Sequence, residues 1–396
     1  MTNIRIVTCA GGASWEAPLV RGLQQRELGI ELLRRCVDHG ELLGVSLRDR
    51  PTAALIAAEL PWLDRDLVGE LQENGVTVVA IDSLGNRPLD RLGVSHVLDA
   101  SQTAEEIIQL LYRIGGTGDD HKGLRAQVES NGRSQEARPC GRAIVIWGGS
   151  GAPGRTTVAI ELALETARLG ARVLLVDADP WSPSIAQTLG LAETPSVMQA
   201  TKLAADGWPK ALSTCLQTRQ EGLEVLTGLG HPDLWPEVRA HTWRAVLDAA
   251  RDLADVVVID VGASVEEDEE LAFDRAPYRR NLMTLGALEI ATDVLLVSGS
   301  DPVALRRSII AFQLLQQVRP RASEHASFLL NRAPRSHRRL QECSHVVADW
   351  IGAPPIGFLP VEAAFERCVW EARSLRAVAP RSPWLRELRR VAEVLS

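Results

Sequence analysis

Lysine is almost missing from this chain: of its 43 basic residues only Lys122, Lys202 and Lys210 are lysines. Arginine is the default cation, and any site that ordinarily uses lysine must be read against that bias. Paired cysteines are missing too. Cys9, Cys36, Cys140, Cys215, Cys343 and Cys368 form no CxxC pair and no zinc-like spacing, which argues against a metal cluster or disulfide framework and fits reduced, mostly buried thiols. No apolar run approaches the roughly 20 residues that a membrane-spanning helix needs. The opening residues, MTNIRIVTCAGG, read as a strand rather than a signal peptide. A cytoplasmic location is expected. The net charge of -8 argues against general attraction to nucleic acid.

At 396 residues the chain is long enough for two or three domains, and two is the simpler division. Residues 115–142 lack apolar periodicity and are rich in glycine, charge and polar side chains, so they read as a linker. Before them, residues 1–114 alternate apolar pieces such as IRIVTC and VTVVAID with amphipathic pieces such as AEEIIQLLYRI. That alternation predicts a small α/β domain with a parallel sheet. Residues 143–396 repeat the grammar on a larger scale. AIVIWGG, RVLLVDAD, LEVLTGL, DVVVIDVG, DVLLVSGS, SFLLNRA and PIGFLP are the strand candidates, and their continuous Val/Ile/Leu runs suit parallel strands covered on both faces.

The most informative stretch is IWGGSGAPGRTTVAIELA. Gly149 to Thr156 matches the phosphate-loop pattern G-x-x-x-x-G-K-[ST], except that Arg155 stands where lysine is usual. A strand precedes the loop and a helix follows, as that chemistry requires. Gly151 and Gly154 let the backbone approach phosphate, and the start of the helix points its amides and dipole at it. Thr156 would place its hydroxyl on a magnesium ion. Arg155 is longer than lysine and planar, so it can bind phosphate but cannot copy a point charge. Pro153 removes one N–H from the cradle. A glycine-rich turn with no ligand is the bland alternative.

Two further strands end in acids: Asp177 and Asp179 close RVLLVDADP, and Asp260 closes DVVVIDVG. In open α/β sheets ligands sit at these carboxyl ends, where carboxylates can hold magnesium or orient water. Single acids there are often turn or cap residues. Three of them in order after a phosphate loop point to a nucleotide site.

With the loop, VDADP, VVVIDVG, TDVLLVSGSDPVALRRS, FLLNR and the closing IGFLPVEAAFERCVWEARSLRAVAPRSP, residues 143–396 resemble the MinD/ParA family of deviant Walker-A ATPases, specifically its CpaE-like branch. The resemblance implies an α/β P-loop NTPase fold with a doubly wound, mostly parallel sheet, preceded by a smaller flavodoxin-like, receiver-like domain. It implies ATP or ADP with Mg2+ as ligands. The nucleotide would lie on Gly149, Ser150, Gly151, Ala152, Pro153, Gly154, Arg155, Thr156 and Thr157, with Thr157 on the first phosphate and Asn331 at the adenine. Thr156, Asp179 and Asp260 would serve the metal, Asp260 as the Walker-B acid, while Asp179 would also orient the attacking water. Laid over the family motif K-G-G-x-G-K-T-T, Ser150 takes the signature-lysine position, Ala152 replaces a glycine and Arg155 the loop lysine. Ser150 cannot carry positive charge to a partner's nucleotide, and such a cation is worth about 10³ or more in rate. The expectation is therefore binding with weak hydrolysis at best, Asp179 and Arg155 being the catalytic candidates.

The family also implies a nucleotide-dependent homodimer and a protein partner in positioning a septum, a partition complex, a pilus or a secretion assembly. The contrasting expectation is a non-catalytic scaffold, and a third is a DNA-partition ATPase, with specific nucleic-acid binding disfavoured by the charge. In residues 1–114 the first strand runs into CAGGAS without acids, Glu59 follows the third strand where a receiver has its phosphorylatable aspartate, and HVLDAS lacks the receiver's lysine. The reading is a pseudoreceiver, with an unrelated flavodoxin-like domain as the alternative. The last segment, SPWLRELRRVAEVLS, is amphipathic. It is expected to pack on its own domain, the alternative being peripheral contact with the inner face of the cell membrane. Arg319, Arg321, Arg335, Arg338 and Arg339 read as a solvated face, and the run Glu266 to Glu270 as a mobile switch loop.

Overall fold

The computed structural model describes residues 4–24, 29–85, 88–116, 140–151, 153–267 and 280–395. Ala152, most of the expected linker and residues 268–270 of the acidic run lie outside the described residues. By contacts the chain divides into two compact units, Met1–Arg138 with Ala204–Trp208, and Pro139–Leu203 with Pro209–Ser396.

In the first unit five strands, β1 (Ile4–Cys9), β2 (Ile30–Arg35), β3 (Ala53–Ala57), β4 (Thr77–Asp82) and β5 (His96–Asp99), form a parallel sheet in the order β2-β1-β3-β4-β5, one of the two common doubly wound orders. Because successive strand residues face opposite sides, Ala54 and Ile56 join one core and Ala53, Leu55 and Ala57 the other. The first core is closed by α2 (His39–Asp49) and α3 (Arg65–Glu73), the second by α1 (Glu16–Gln24) and α4 (Ala104–Gly116). Asp38 and Asp64 start α2 and α3 as N-caps, accepting from the amides of Glu41 and Leu67. The helix α4 continues to Gly116, two residues into the segment read as linker. The acid after β3, Glu59, accepts from the amide of Ser83 at 2.7 Å and so ties down the turn after β4.

In the second unit eight strands are ordered β13-β12-β11-β6-β10-β7-β9-β8. They are β6 (Arg142–Trp147), β7 (Val173–Ala178), β8 (Gln217–Gln220), β9 (Leu223–Leu226), β10 (Val256–Val261), β11 (Asp293–Gly299), β12 (Ala326–Ala333) and β13 (Gly357–Pro360). Every pairing is parallel except β8 with β9 at the edge. This is the doubly wound, mostly parallel α/β sheet expected. The polar strand β8, QTRQ, carries no apolar signal and was not foreseen.

The helix α5 (Arg155–Arg168) is buried from Val158 through Ala167, because it lies between the sheet and the C-terminal helix Pro383–Leu395. That last helix places Trp384, Leu385, Leu388, Val391, Ala392 and Leu395 in the same core as α5. Its apolar face is thus covered by its own domain, as favoured from the sequence, which removes the surface that the alternative of peripheral membrane contact through this helix required. Among the described residues no helix is long and apolar enough to cross a membrane.

Candidate nucleotide site

The chain passes from β6 into α5 at the point where neighbouring connections diverge: β7 lies beyond β10 on one side of β6, and β11 adjoins it on the other. The loop Gly148–Gly154 therefore emerges at the carboxyl edge of the sheet between two groups of strands. Gly151 and Gly154 have φ of 113° and 93°, backbone that a side chain would strain. Contact reinforces the constraint, since a Cβ on Gly154 would fall 2.5 Å from Asn331 Nδ2 and one on Gly148 would fall 2.2 Å from the Val297 carbonyl oxygen. Glycine at these positions is what lets the loop lie flat on β11 and β12. Gly154 is the N-cap of α5, and neither a capping side chain nor an acid in the first turn neutralises that helix start. An anion is the natural complement.

The acids lie on the adjoining strands in matched register, with Asp260 of β10 opposite Asp177 of β7. Asp260 is fully buried, and burial, together with the neighbouring Asp177 charge, pushes its carboxyl well above the usual range; a hydrogen bond with Thr156 and the Arg155 charge act the other way. Its Oδ1 is buried without a hydrogen-bond partner. An orphaned oxygen on a carboxyl beside the phosphate-loop threonine suits a hard cation, which would restore its ionised form.

Asp179 uses Oδ1 to accept from the amides of Trp181 and Ser182, at 2.9 and 3.2 Å, and its Oδ2 lies 3.9 Å from Arg155 Nη2. Asp177 is a structural acid. Its Oδ2 accepts from the amides of Ser184 and Ile185 at 3.0 and 3.1 Å, starting the short helix Ile185–Leu189, and burial raises its carboxyl to about 7. Among the described residues no cluster of three or more His, Cys, Asp or Glu side chains could hold a metal alone. Magnesium does not need one, because it keeps waters and takes phosphate oxygens as ligands alongside one or two protein groups.

Arg155 folds back on its own loop. Its Nη1 donates to the carbonyl oxygens of Gly148 and Gly149, at 3.0 and 3.2 Å. The guanidinium thus bridges the loop's entry and the acids, a placement that the motif alone does not reveal. Ser150 and Gly151 are exposed at the mouth. Asn331 is engaged inward: Nδ2 donates to the Pro153 carbonyl oxygen at 2.8 Å, and Oδ1 accepts from Trp384 Nε1 at 3.3 Å and from the Arg332 amide at 2.9 Å. It holds the loop against β12 and the C-terminal helix, so a role in reading adenine would compete with these contacts.

Of the arginine cluster, Arg319 pairs with Glu267 and Arg338 with Glu342, while Arg321, Arg335 and Arg339 are exposed. One residue near the loop was not foreseen. Arg307, in the helix Pro302–Val318, lies so close that a Cβ on Gly151 would meet its Nη1 at 2.8 Å. It sits within the family-like stretch SDPVALRRS, and only the close approach of β11 and β6 brings it to the loop.

No protein-family profile matches the chain. Among curated proteins, the antiactivator FleN of Pseudomonas aeruginosa is 23% identical over 245 residues, which cover 60% of this chain and 80% of FleN. An uncharacterised protein of Mycobacterium tuberculosis is 29% identical over 201 residues, 50% of each chain. Among solved structures, a ParA family ATPase of Chlorobium tepidum has a TM-score of 0.54 at 18% identity, covering 64% of this chain and 98% of its own. The cell division ATPase MinD of Pyrococcus furiosus has a TM-score of 0.52 at 20% identity, covering 64% and 98%. The septum site-determining protein MinD of Pyrococcus horikoshii, complexed with Mg-ADP, has a TM-score of 0.51 at 19% identity, covering 64% and 96%. At these identities the likeness is one of fold, and the fold is that of the MinD and ParA ATPases.

Proposed function

We propose that this chain is an ATP-binding positioning or regulatory protein of the MinD/ParA kind, in its CpaE-like branch. The nucleotide-binding domain read as 143–396 then includes Arg142, where β6 starts, and the pseudoreceiver read as 1–114, which docks a partner, includes residues 115–116 of α4, with the linker between them. The observation that carries this reading is the buried, orphaned Oδ1 of Asp260 beside Thr156, at the foot of an uncapped helix that begins with a glycine loop. Thr156 and Asp260 would hold Mg2+, which neutralises phosphate charge when bound. The loop amides and Arg155 would hold the phosphates, and Thr157, next on α5, the first of them.

Hydrolysis is expected to be weak. Ser150 has no charge to offer, Arg155 is tied to the loop's own carbonyls, and Asp179 Oδ1 is occupied by a turn. The protein then acts as a switch set by which nucleotide is bound, with a nucleotide-dependent homodimer and a protein partner as its output. The contrasting reading is a scaffold without nucleotide control, favoured by the same inward engagement of Arg155. Phosphate release measured on the protein saturated with ATP and Mg2+ separates a switch from an efficient ATPase. Release on the order of 1 per second or faster, within the range of ordinary enzymes, contradicts weak hydrolysis.

A further inference from the structure

The helix Pro302–Val318 starts cleanly, with Asp301 accepting from the amides of Val303 and Ala304 and proline at the first turn. Its sequence, PVALRRSIIAFQLLQQV, contains no acid, so Arg307 has no carboxylate on its own helix to pair with. Among the described residues its guanidinium has neither a hydrogen bond nor an ion pair, yet it lies over Gly151. The backbone also approaches here, since a Cβ on Gly149 would meet the Arg307 carbonyl oxygen at 3.2 Å. Helix and loop are thus in direct contact, and the guanidinium lies at the mouth.

Gly151 adjoins Ser150, the position without charge, and it stands at the opposite end of the loop from Thr157. In phosphate loops the backbone cradles the inner phosphates and a cation reaches the outer ones. A planar guanidinium with free donors over an exposed loop fits a terminal phosphate, which it can bind through two parallel hydrogen bonds. We propose that Arg307 binds the terminal phosphate of a nucleoside triphosphate held on the loop of its own chain, supplying from a neighbouring helix the charge that Ser150 lacks. The proposal rests on the reading of the loop as a nucleotide site. It makes Arg307 the residue that distinguishes triphosphate from diphosphate.

The test is equilibrium binding of ATP and of ADP, each with Mg2+, to the full chain and to its Arg307→Ala and Arg307→Lys variants. Because Arg307 is exposed, unchanged thermal melting without nucleotide is expected in both. In Arg307→Ala, affinity for ATP should fall by about tenfold or more, the effect of losing one charge-assisted contact, and affinity for ADP by about threefold at most. Arg307→Lys should recover part of the loss. Unchanged ATP affinity in Arg307→Ala, or equal losses for ATP and ADP, overturns the inference and leaves the nucleotide site standing. Absence of binding of either nucleotide by the unaltered chain overturns both.

Discussion

Asn331 Nδ2 donates to the carbonyl oxygen of Pro153 at 2.8 Å, joining the end of β12 to the phosphate loop across 178 residues of sequence. The same side chain accepts from Trp384 Nε1, so one amide ties the loop to the last helix of the chain. All three groups are buried. Loop position and C-terminal packing are therefore coupled through a single residue.

Replacing Asn331 with alanine leaves Trp384 Nε1 and the Pro153 carbonyl without these partners. The expected loss of stability is about 1–3 kcal/mol, the usual cost of stranding buried polar groups. Urea denaturation measures it, and nucleotide affinity should fall with it because the loop loses its anchor.

Asp260→Asn tests the metal assignment. The amide stays neutral where the carboxylate is disfavoured by burial, so the nucleotide-free protein should be as stable as the unaltered chain or more stable at neutral pH. Tightening of ADP or ATP binding by Mg2+ should be lost. Titration with and without Mg2+ checks the second effect and thermal melting the first.

Glu161 on α5 predicts a pH dependence away from the acids of the loop. It is buried, accepts from the Leu375 amide through Oε1, and leaves Oε2 without a hydrogen-bond partner. Burial, opposed by the Leu375 amide, helped by the neighbouring Glu165 charge and opposed by Arg376, raises its carboxyl to about 7. Between its ordinary value of 4.5 and about 7 the folded protein keeps a proton that the unfolded chain has lost. Stability from this group is fullest at low pH, falls as pH rises through that window, and is level above it. The total is up to about 3 kcal/mol. Denaturation of Glu161→Gln between pH 4.5 and 7.5 should show a flatter profile than the unaltered chain, the difference lying in that window.

The adjoining ion pair predicts a larger single loss. Arg376 donates to both oxygens of the buried Glu165, at 2.7 and 2.6 Å, and fixes the turn Leu375–Val378 on α5. Arg376→Ala strands that carboxylate and should cost about 3–5 kcal/mol by denaturation. Glu165→Gln with Arg376→Ala together should cost less than Arg376→Ala alone.

Strands β6, β7, β9, β10, β11, β12 and β13 were legible in the sequence because each lies in a short apolar run, and in β6, β7, β10 and β11 that run ends in glycine or acid. The same ends placed Thr156, Asp179 and Asp260 together, since parallel strands bring their carboxyl termini to one edge. The β8 edge strand was not legible because a polar strand paired on one side carries no periodic signal. Hydrogen bonding at the strand ends was not legible either. Asp177 and Asp179 are equivalent by pattern, yet Asp177 caps a helix with Oδ2 while Asp179 keeps one oxygen toward Arg155. Asn331 was placed at adenine by resemblance, whereas its partners here are the loop and Trp384. The inward turn of Arg155 and the approach of Arg307 depend on side-chain direction, which a motif does not encode.

We propose that the arginine-bearing loop is a working nucleotide site. The measurement that tests it most directly is equilibrium binding of ATP and ADP, with Mg2+, to the full chain and to Arg155→Ala. Binding in the micromolar range by the unaltered chain, lost in the variant, is the result this account predicts. No binding at millimolar nucleotide, or equal affinity in both proteins, contradicts it.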